Sequence, residues 1–399
     1  MNQRTEINPK VVILVLGTLN GLMPFSTDLY LPAFAQIAQE LHTNIGNVTL
    51  TMSGFFVGSC VGQLCNGPFL DRFGRKKPML VGLVIFFITS LSCAYCTSVE
   101  WFIFFRFLQA LGISICSVGS RSIVRDLFPA EKIASIFSTL SLVMGIAPII
   151  APSVGSLVLG LAGWRTIFQL LAAMSFSLFL ILYFFLPSSG KPTEQYSLHP
   201  KAILTNYKEV FRTPTFLGYA LVAALASGSL FTWISSSSLV FIQNFGLSPK
   251  QFGWVFASTA SCLVLGNQVN RILLKRFSSE QLALRAAISQ LIVSTCLLMI
   301  VVFFFKIPIM LGGLYAFMLS LSLITPNAMA LSIRPFTKNI GSANALMGAM
   351  QMTLSAVVTG IVSLLYDGTA KPMAYMMILL TCCSVLIQFF LKSKRAERP

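Results

Sequence analysis

Long, continuous apolar runs decide most of what this chain can fold into. About twelve of them begin near Val11, Val48, Met79, Trp101, Ile133, Trp164, Phe216, Phe252, Ala283, Pro308, Ser342 and Met373, and each supplies the roughly 20 residues that a helix needs to cross a bilayer. A transmembrane barrel would instead alternate polar and apolar residues over segments of about ten. Only 10% of the residues are charged, against roughly 25% in a soluble domain. The expected fold is therefore an all-α membrane protein.

The net charge of +16 is not the footprint of a nucleic-acid binder. The basic residues are scattered over short connections and form no stripe interleaved with aromatics. Counted by alternate connections, 23 lie on one side and only Arg165, Lys250, Lys306 and Lys371 on the other. The positive-inside rule then places both termini in the cytoplasm and makes the number of spans even. Nine cysteines lie mostly inside apolar runs, as small packing residues do. Cys93 and Cys96 have a motif spacing but no His or further Cys nearby, and no metal site is expected. His42 and His199 form no cluster. Ala33-Phe34-Ala35 has the form of a signal-peptidase site, but the apolar region before it is too long and contains Asp28 and two prolines, so the first span is expected to stay attached.

A polar stretch rich in proline and basic residues separates six spans from six. It gives an N-terminal bundle over 1–187, a cytoplasmic linker over 188–213 and a C-terminal bundle over 214–399. At an offset of 204 residues, Gly62, Asn66, Arg72 and Phe73 meet Gly266, Asn270, Arg276 and Phe277. Related halves of this kind are expected to enclose a central site and to rock against each other. The echo fails for acids: Asp71 meets Lys275 and Asp28 meets Thr232, so the spans of the second half offer no interior carboxylate.

Asp28 stands inside the first span, where a carboxylate costs at least a few kcal/mol and needs a partner, a cavity or a change of protonation. Arg106 in the fourth span poses the same problem. Each lies about six residues, or ~9 Å, from the outer end of its helix at 1.5 Å per residue, so the two share a level and are expected to meet if their helices adjoin. A purely structural ion pair is the plainer alternative.

Three motifs carry more information. After the second span, Gly67-Pro68-Phe69-Leu70-Asp71-Arg72-Phe73-Gly74-Arg75-Lys76-Lys77-Pro78 reads as a tight turn. Gly67 and Gly74 are expected to allow close approach or positive φ, and the basic cluster to pair with Asp71 or with lipid headgroups. In the fourth span, Arg106, Gln109 and Gly112 recur at helical spacing. In the fifth, Gly145, Pro148, Pro152 and Gly155 fall on one face, forming a seam where another backbone approaches closely.

The first motif resembles the signature loop of the major facilitator superfamily, G-x-x-x-D-R-x-G-R-[RK]. The second is similar to the superfamily's R-x-x-Q-G-x-G, with Ala110 at its first glycine. The third resembles the antiporter signature of drug exporters, with Ala147 before Pro148. With Ser26-Thr27-Asp28-Leu29-Tyr30-Leu31-Pro32 in the first span, Arg121-Ser122-Ile123-Val124-Arg125-Asp126-Leu127-Phe128 after the fourth and Gly163-Trp164-Arg165-Thr166-Ile167-Phe168 at the sixth, the chain resembles the bicyclomycin-resistance (Bcr/CflA) branch over essentially its full length.

The resemblance implies twelve helices in two six-helix bundles, a multi-pass protein of the bacterial inner membrane, and export of drugs or other small amphipathic molecules in exchange for protons. Asp28 would be the coupling acid and Arg106 its partner; Asn20, Tyr30 and Trp233 are candidate substrate contacts. A dedicated exporter of one metabolite or siderophore carries the same motifs, and a proton-coupled importer is less favoured because of the fifth-span seam. No phosphate loop or convergent catalytic cluster occurs, so neither an ATP-driven pump nor an enzyme is expected. The expected partners are a small-molecule substrate and the lipid bilayer, with no cofactor beyond the proton, no nucleic acid and a monomeric state.

Overall fold

The computed structural model describes residues 9–186, 200–336 and 340–396. Arg4, Pro187, Lys191, Pro192, Glu194, His199, Lys338, Glu397 and Arg398 lie outside the described residues. Fourteen α-helices account for most of the rest. The first half contains α1 (Pro9–Asp28), a short α2 (Phe34–Glu40), α3 (Ile45–Phe73), α4 (Lys76–Tyr95), α5 (Val99–Leu127), α6 (Ala130–Ala162) and α7 (Trp164–Phe185). After the connector helix α8 (Pro200–Phe211) come α9 (Pro214–Ser238), α10 (Pro249–Leu273), α11 (Ser279–Phe303), α12 (Ile307–Ile333), α13 (Ile340–Leu364) and α14 (Lys371–Ala396).

Local chemistry fixes where these helices begin and stop. The Asn44 side chain accepts from the backbone N–H of Asn47 at 2.7 Å and starts α3. Ser248 with Gln251, and Ser278 with Gln281, form capping boxes at α10 and α11, each satisfying N–H groups that the first turn leaves without partners. Eleven helical stretches among the described residues are long and apolar enough to span a membrane. The other spanning helix, α10, has the length but carries Asn267, Gln268, Asn270 and Arg271 in its last turns.

The first span does not continue as one helix for the six residues beyond Asp28 that its apolar run suggests. Its α-helix ends at Asp28, and a 3-10 turn over Leu31–Ala33 leads into α2. Pro32 is the cause, because it has no N–H to donate and it disfavours helical geometry at Leu31.

In the first half α1 packs on α5, α6 and α7, while α3 and α4 pack on α5. In the second, α9 touches α12, α13 and α14, and α12 touches α10 and α11. The halves meet mainly along two seams, α3 on α13 and α6 on α10, and the Leu31–Ala33 turn also touches α9 and α10. The repeated residues do the same work in each half. A side chain on Gly62 would land on Ser114 and one on Gly266 on Ser322. Asn66 donates to Ser114 at 2.8 Å, and Asn270 accepts from Asn327 at 2.7 Å. Each Gly/Asn pair thus locks its helix to the helix two spans later.

Because span directions alternate, one end of the molecule collects Arg72, Lys76, Arg121, Lys208, Arg212, Lys275 and Arg334. This is the basic end of the molecule.

Candidate functional site

Asp28 and Arg106 are both enclosed, at 1% and 0% exposure, on adjoining helices. The expected ion pair between them is nevertheless absent from the described structure. Arg106 Nη1 donates instead to Ser26 Oγ at 2.8 Å and to Gln109 Oε1 at 2.5 Å. Depth along a helix axis gave the right level but not the rotation. Ser26 and Asp28 are two residues, or about 200°, apart around α1, so only one of them faces α5.

The guanidinium is held in an aromatic cage. Its carbon lies 4.6 Å from the Tyr30 ring centre and 4.3 Å from that of Phe55. Delocalised charge stacked on aromatic faces is a stable arrangement for a desolvated cation. Gln109 passes the network on, donating through Nε2 to Ser90 Oγ at 2.7 Å. The α5 motif therefore ties together α1, α4 and α5. Gly112 completes this contact: a side chain there would lie 2.7 Å from the Gly82 carbonyl of α4.

Asp28 faces elsewhere. Helical periodicity puts it within about 20° of Gly17 and Gly21, and the open sides of those glycines face Val143 of α6. Its carboxyl contacts the Thr27 hydroxyl at 2.9 Å, and that same hydroxyl lies 3.0 Å from the Pro24 carbonyl. The seam on α6 arrives at this place. A side chain on Gly155 would overlap the carbonyl of Leu29, next to Asp28, whereas one on Gly145 would meet Val264 of α10 at 3.3 Å. Higher on the same helix, Ser153 approaches Gly253 of α10, and Ser156 donates to the Pro249 carbonyl at 2.6 Å. With Pro148 and Pro152 inside it, α6 is wedged between the helix of Asp28 and the second half. The seam thus serves two partners rather than one.

The candidate substrate contacts fall in different settings. Tyr30 is fully buried in the Arg106 cage, and its hydroxyl donates to Thr51, since the Thr51 proton goes to the Val48 carbonyl. Asn20 is buried between α1 and α5, donating to Leu16 O at 2.8 Å. Trp233 stacks on Phe256 and meets Phe241 edge-on, all within the second half. Contacts between halves that the sequence did not single out are the Phe56 and Phe231 rings, 4.3 Å apart, and Cys60 with Thr353 at 3.1 Å. Neither pair has a local signal, because the partners lie on spans far apart in sequence.

The signature loop divides its tasks. Gly74 has φ +78° and ψ 178°, a conformation essentially closed to other residues. Gly74→Ala is expected to cost about 1–3 kcal/mol, checked by thermal unfolding in detergent. Gly67 does not have the expected role: it is helical, with open space where a side chain would be, and precedes Pro68, whose ring crowds its neighbour. Arg75 Nε donates to Asp126 at 3.0 Å, joining the loop to the end of α5. Lys76 donates to the carbonyls of Tyr183 and Leu186 at the end of α7. Arg72 is exposed beside Phe73, and the Asp71 side chain lies outside what the structure describes. A double-mutant cycle on Arg75 and Asp126 is expected to give about 0.2–1 kcal/mol, the usual range of surface ion pairs.

Residues 16–397 match the model of the Major Facilitator Superfamily. The chain belongs to that superfamily. It is 29% identical over 387 residues to a bicyclomycin resistance protein homolog of Haemophilus influenzae, covering 97% of each chain. It is 30% identical to an uncharacterized MFS-type transporter, YdgK, of Bacillus subtilis, covering 96% of this chain and 95% of that one. Multidrug transporter MdfA of Edwardsiella piscicida is 31% identical over 242 residues, covering 60% and 58%. A bacterial homolog of the human lysosomal transporter Spinster, inward-facing and occupied, shares the fold with a TM-score of 0.76 at 15% identity, covering 96% and 97%. The facilitator fold accounts for the twelve helices in two bundles, and it makes the protein a multi-pass membrane transporter rather than an enzyme.

Proposed function

We propose that this transporter exports drugs or similar small amphipathic molecules across the bacterial inner membrane in exchange for protons, with both termini in the cytoplasm and Asp28 as the proton-carrying acid. The similarity to a bicyclomycin resistance protein homolog and to multidrug transporters supports the substrate class, and the bias of basic residues supports the orientation.

One observation carries the coupling: Asp28 is enclosed, and among the described residues its carboxyl has no cation in ion-pair range and no hydrogen-bond partner but Thr27. A carboxylate at that depth without a counter-charge is costly. Thr27 has one proton and two oxygen neighbours, the Asp28 carboxyl and the Pro24 carbonyl. With Asp28 protonated, the acid donates to Thr27 and Thr27 donates to Pro24, so each oxygen is served. Loss of the proton turns the Thr27 hydroxyl to the carboxylate and strips Pro24 of that bond. The change falls beside the Leu29–Gly155 contact and is passed by α6 to α10, a route along which protonation biases how the two halves sit.

The test is transport by reconstituted protein under an imposed pH gradient, over cationic, neutral and siderophore-like compounds. Substrate moving against the direction of protons is the expected result. Uptake along with protons, or indifference to the gradient, overturns the reading.

A further inference from the structure

In the second half, the basic end contains a cavity of about 290 Å³ bounded by α9, α11 and α14. Tyr219, Gln281, Arg285, Gln388 and Lys392 line it, together with Glu280. We propose that this cavity binds the headgroup of an anionic phospholipid of the surrounding leaflet, with its phosphate between Arg285 and Lys392.

Charge is the first reason. Neither Arg285 nor Lys392 has an ion-pair partner among the described residues, whereas Glu280 is engaged by Arg334 at 3.2 Å. The cavity therefore presents two uncommitted cations and one acid already matched. Arg285 is steadied by the Phe277 ring, 4.8 Å from its guanidinium carbon, which leaves its N–H edge for an anion. Tyr219 and Gln388, 5% and 4% exposed, close the inner end of the cavity, and the Gln388 amide is held by its hydrogen bond to Ser384 at 3.4 Å.

Depth and direction are the second reason. Arg285 lies six residues into α11 and Lys392 four residues before the end of α14, roughly 6–9 Å from the helix ends at 1.5 Å per residue, the level of the interface. From Arg285 an apolar stripe descends one face of α11 through Ile288 and Ile292 to Met299, all exposed. Beside Lys392, α14 exposes Leu386, Phe389 and Phe390. A headgroup seated on the two cations would lay its acyl chains along these surfaces. A free phosphate would use the cations but not the stripes. The inference is independent of the export reading, because no residue of the cavity belongs to that route.

The experiment uses the full-length protein in detergent, titrated with short-chain phosphatidylglycerol, phosphatidylcholine of the same chain length, and inorganic phosphate. Binding is read by native mass spectrometry and by the melting temperature. Phosphatidylglycerol is expected to bind and raise the melting temperature, while phosphatidylcholine and phosphate do not. Arg285→Gln and Lys392→Gln should each weaken binding about five-fold, and the double variant roughly thirty-fold, from the usual contribution of a basic residue at an anionic surface. Lys275→Gln, which removes a charge from the same end but not from the cavity, should leave binding unchanged. Melting without lipid reports whether each variant folds, and both substitutions are at exposed positions. Equal binding of the two lipids, saturation by phosphate alone, or equal losses in Lys275→Gln and the cavity variants would overturn the proposal.

Discussion

Replacing Asp28 by asparagine is expected to leave a folded protein that still exchanges substrate between equal pools but no longer drives it uphill on a pH gradient. The fold should survive because the Asn carbonyl can keep the 2.9 Å contact with Thr27 and because the variant removes an acid that is expensive to bury. Its amide N–H groups need partners, and an unmet one costs about 1–3 kcal/mol, so the melting temperature is the first control. What the side chain cannot do is gain or lose a proton. The Thr27 hydroxyl is then fixed in one arrangement, and gradient-driven transport should fall to background while counterflow persists with a flat pH profile. Asp28→Glu keeps a titrating group and should retain part of the coupling. Uphill export by Asp28→Asn at the rate of the parent would remove this residue from the mechanism, whatever its effect on stability.

The transporter fold was legible because the signals are local. A run of about 20 apolar residues marks each span, and the Gly62/Asn66 and Gly266/Asn270 echo marks two halves, now seen locking equivalent helices together. The end of α1 was less legible: Pro32 carried the signal, but the apolar run continued past it. Asp28 and Arg106 were found as costly charges at equal depth, yet their pairing depended on rotation about two helix axes, which axial arithmetic does not supply. Arg106 is held by the aromatic cage and two hydrogen bonds from Nη1 rather than by a carboxylate, with Nε and Nη2 buried and without hydrogen-bond partners among the described residues, and Phe55, one of the walls, has no motif. Asp126 as the partner of Arg75 was equally hidden. The pair spans 51 positions, and in sequence Asp71 stood nearer to the same basic cluster.

The seam on α6 yields an ordered series that tests how the halves communicate. A methyl on Gly155 would overlap the Leu29 carbonyl, and a backbone atom cannot rotate aside, so Gly155→Ala must force α1 and α6 apart. Overpacking of this kind costs about 1–3 kcal/mol, and it falls on the contact that links Asp28 to the second half. Transport is therefore expected to drop at least ten-fold even where folded protein is recovered. Gly145→Ala meets only the Val264 methyl at 3.3 Å, a side chain that can yield, so a modest loss is expected. Gly160→Ala, in the same helix with open space around it, should transport normally and gain up to about 1 kcal/mol from helix propensity. Melting temperature and gradient-driven transport, measured on all three, separate packing from coupling. If Gly155→Ala melts near the parent temperature yet has lost transport, the α1–α6 contact is part of the cycle. If it transports as well as Gly160→Ala, α6 does not relay the state of Asp28, and the path between the acid and the second half runs through the contacts of the Leu31–Ala33 turn with α9 and α10 or through the α3–α13 seam instead.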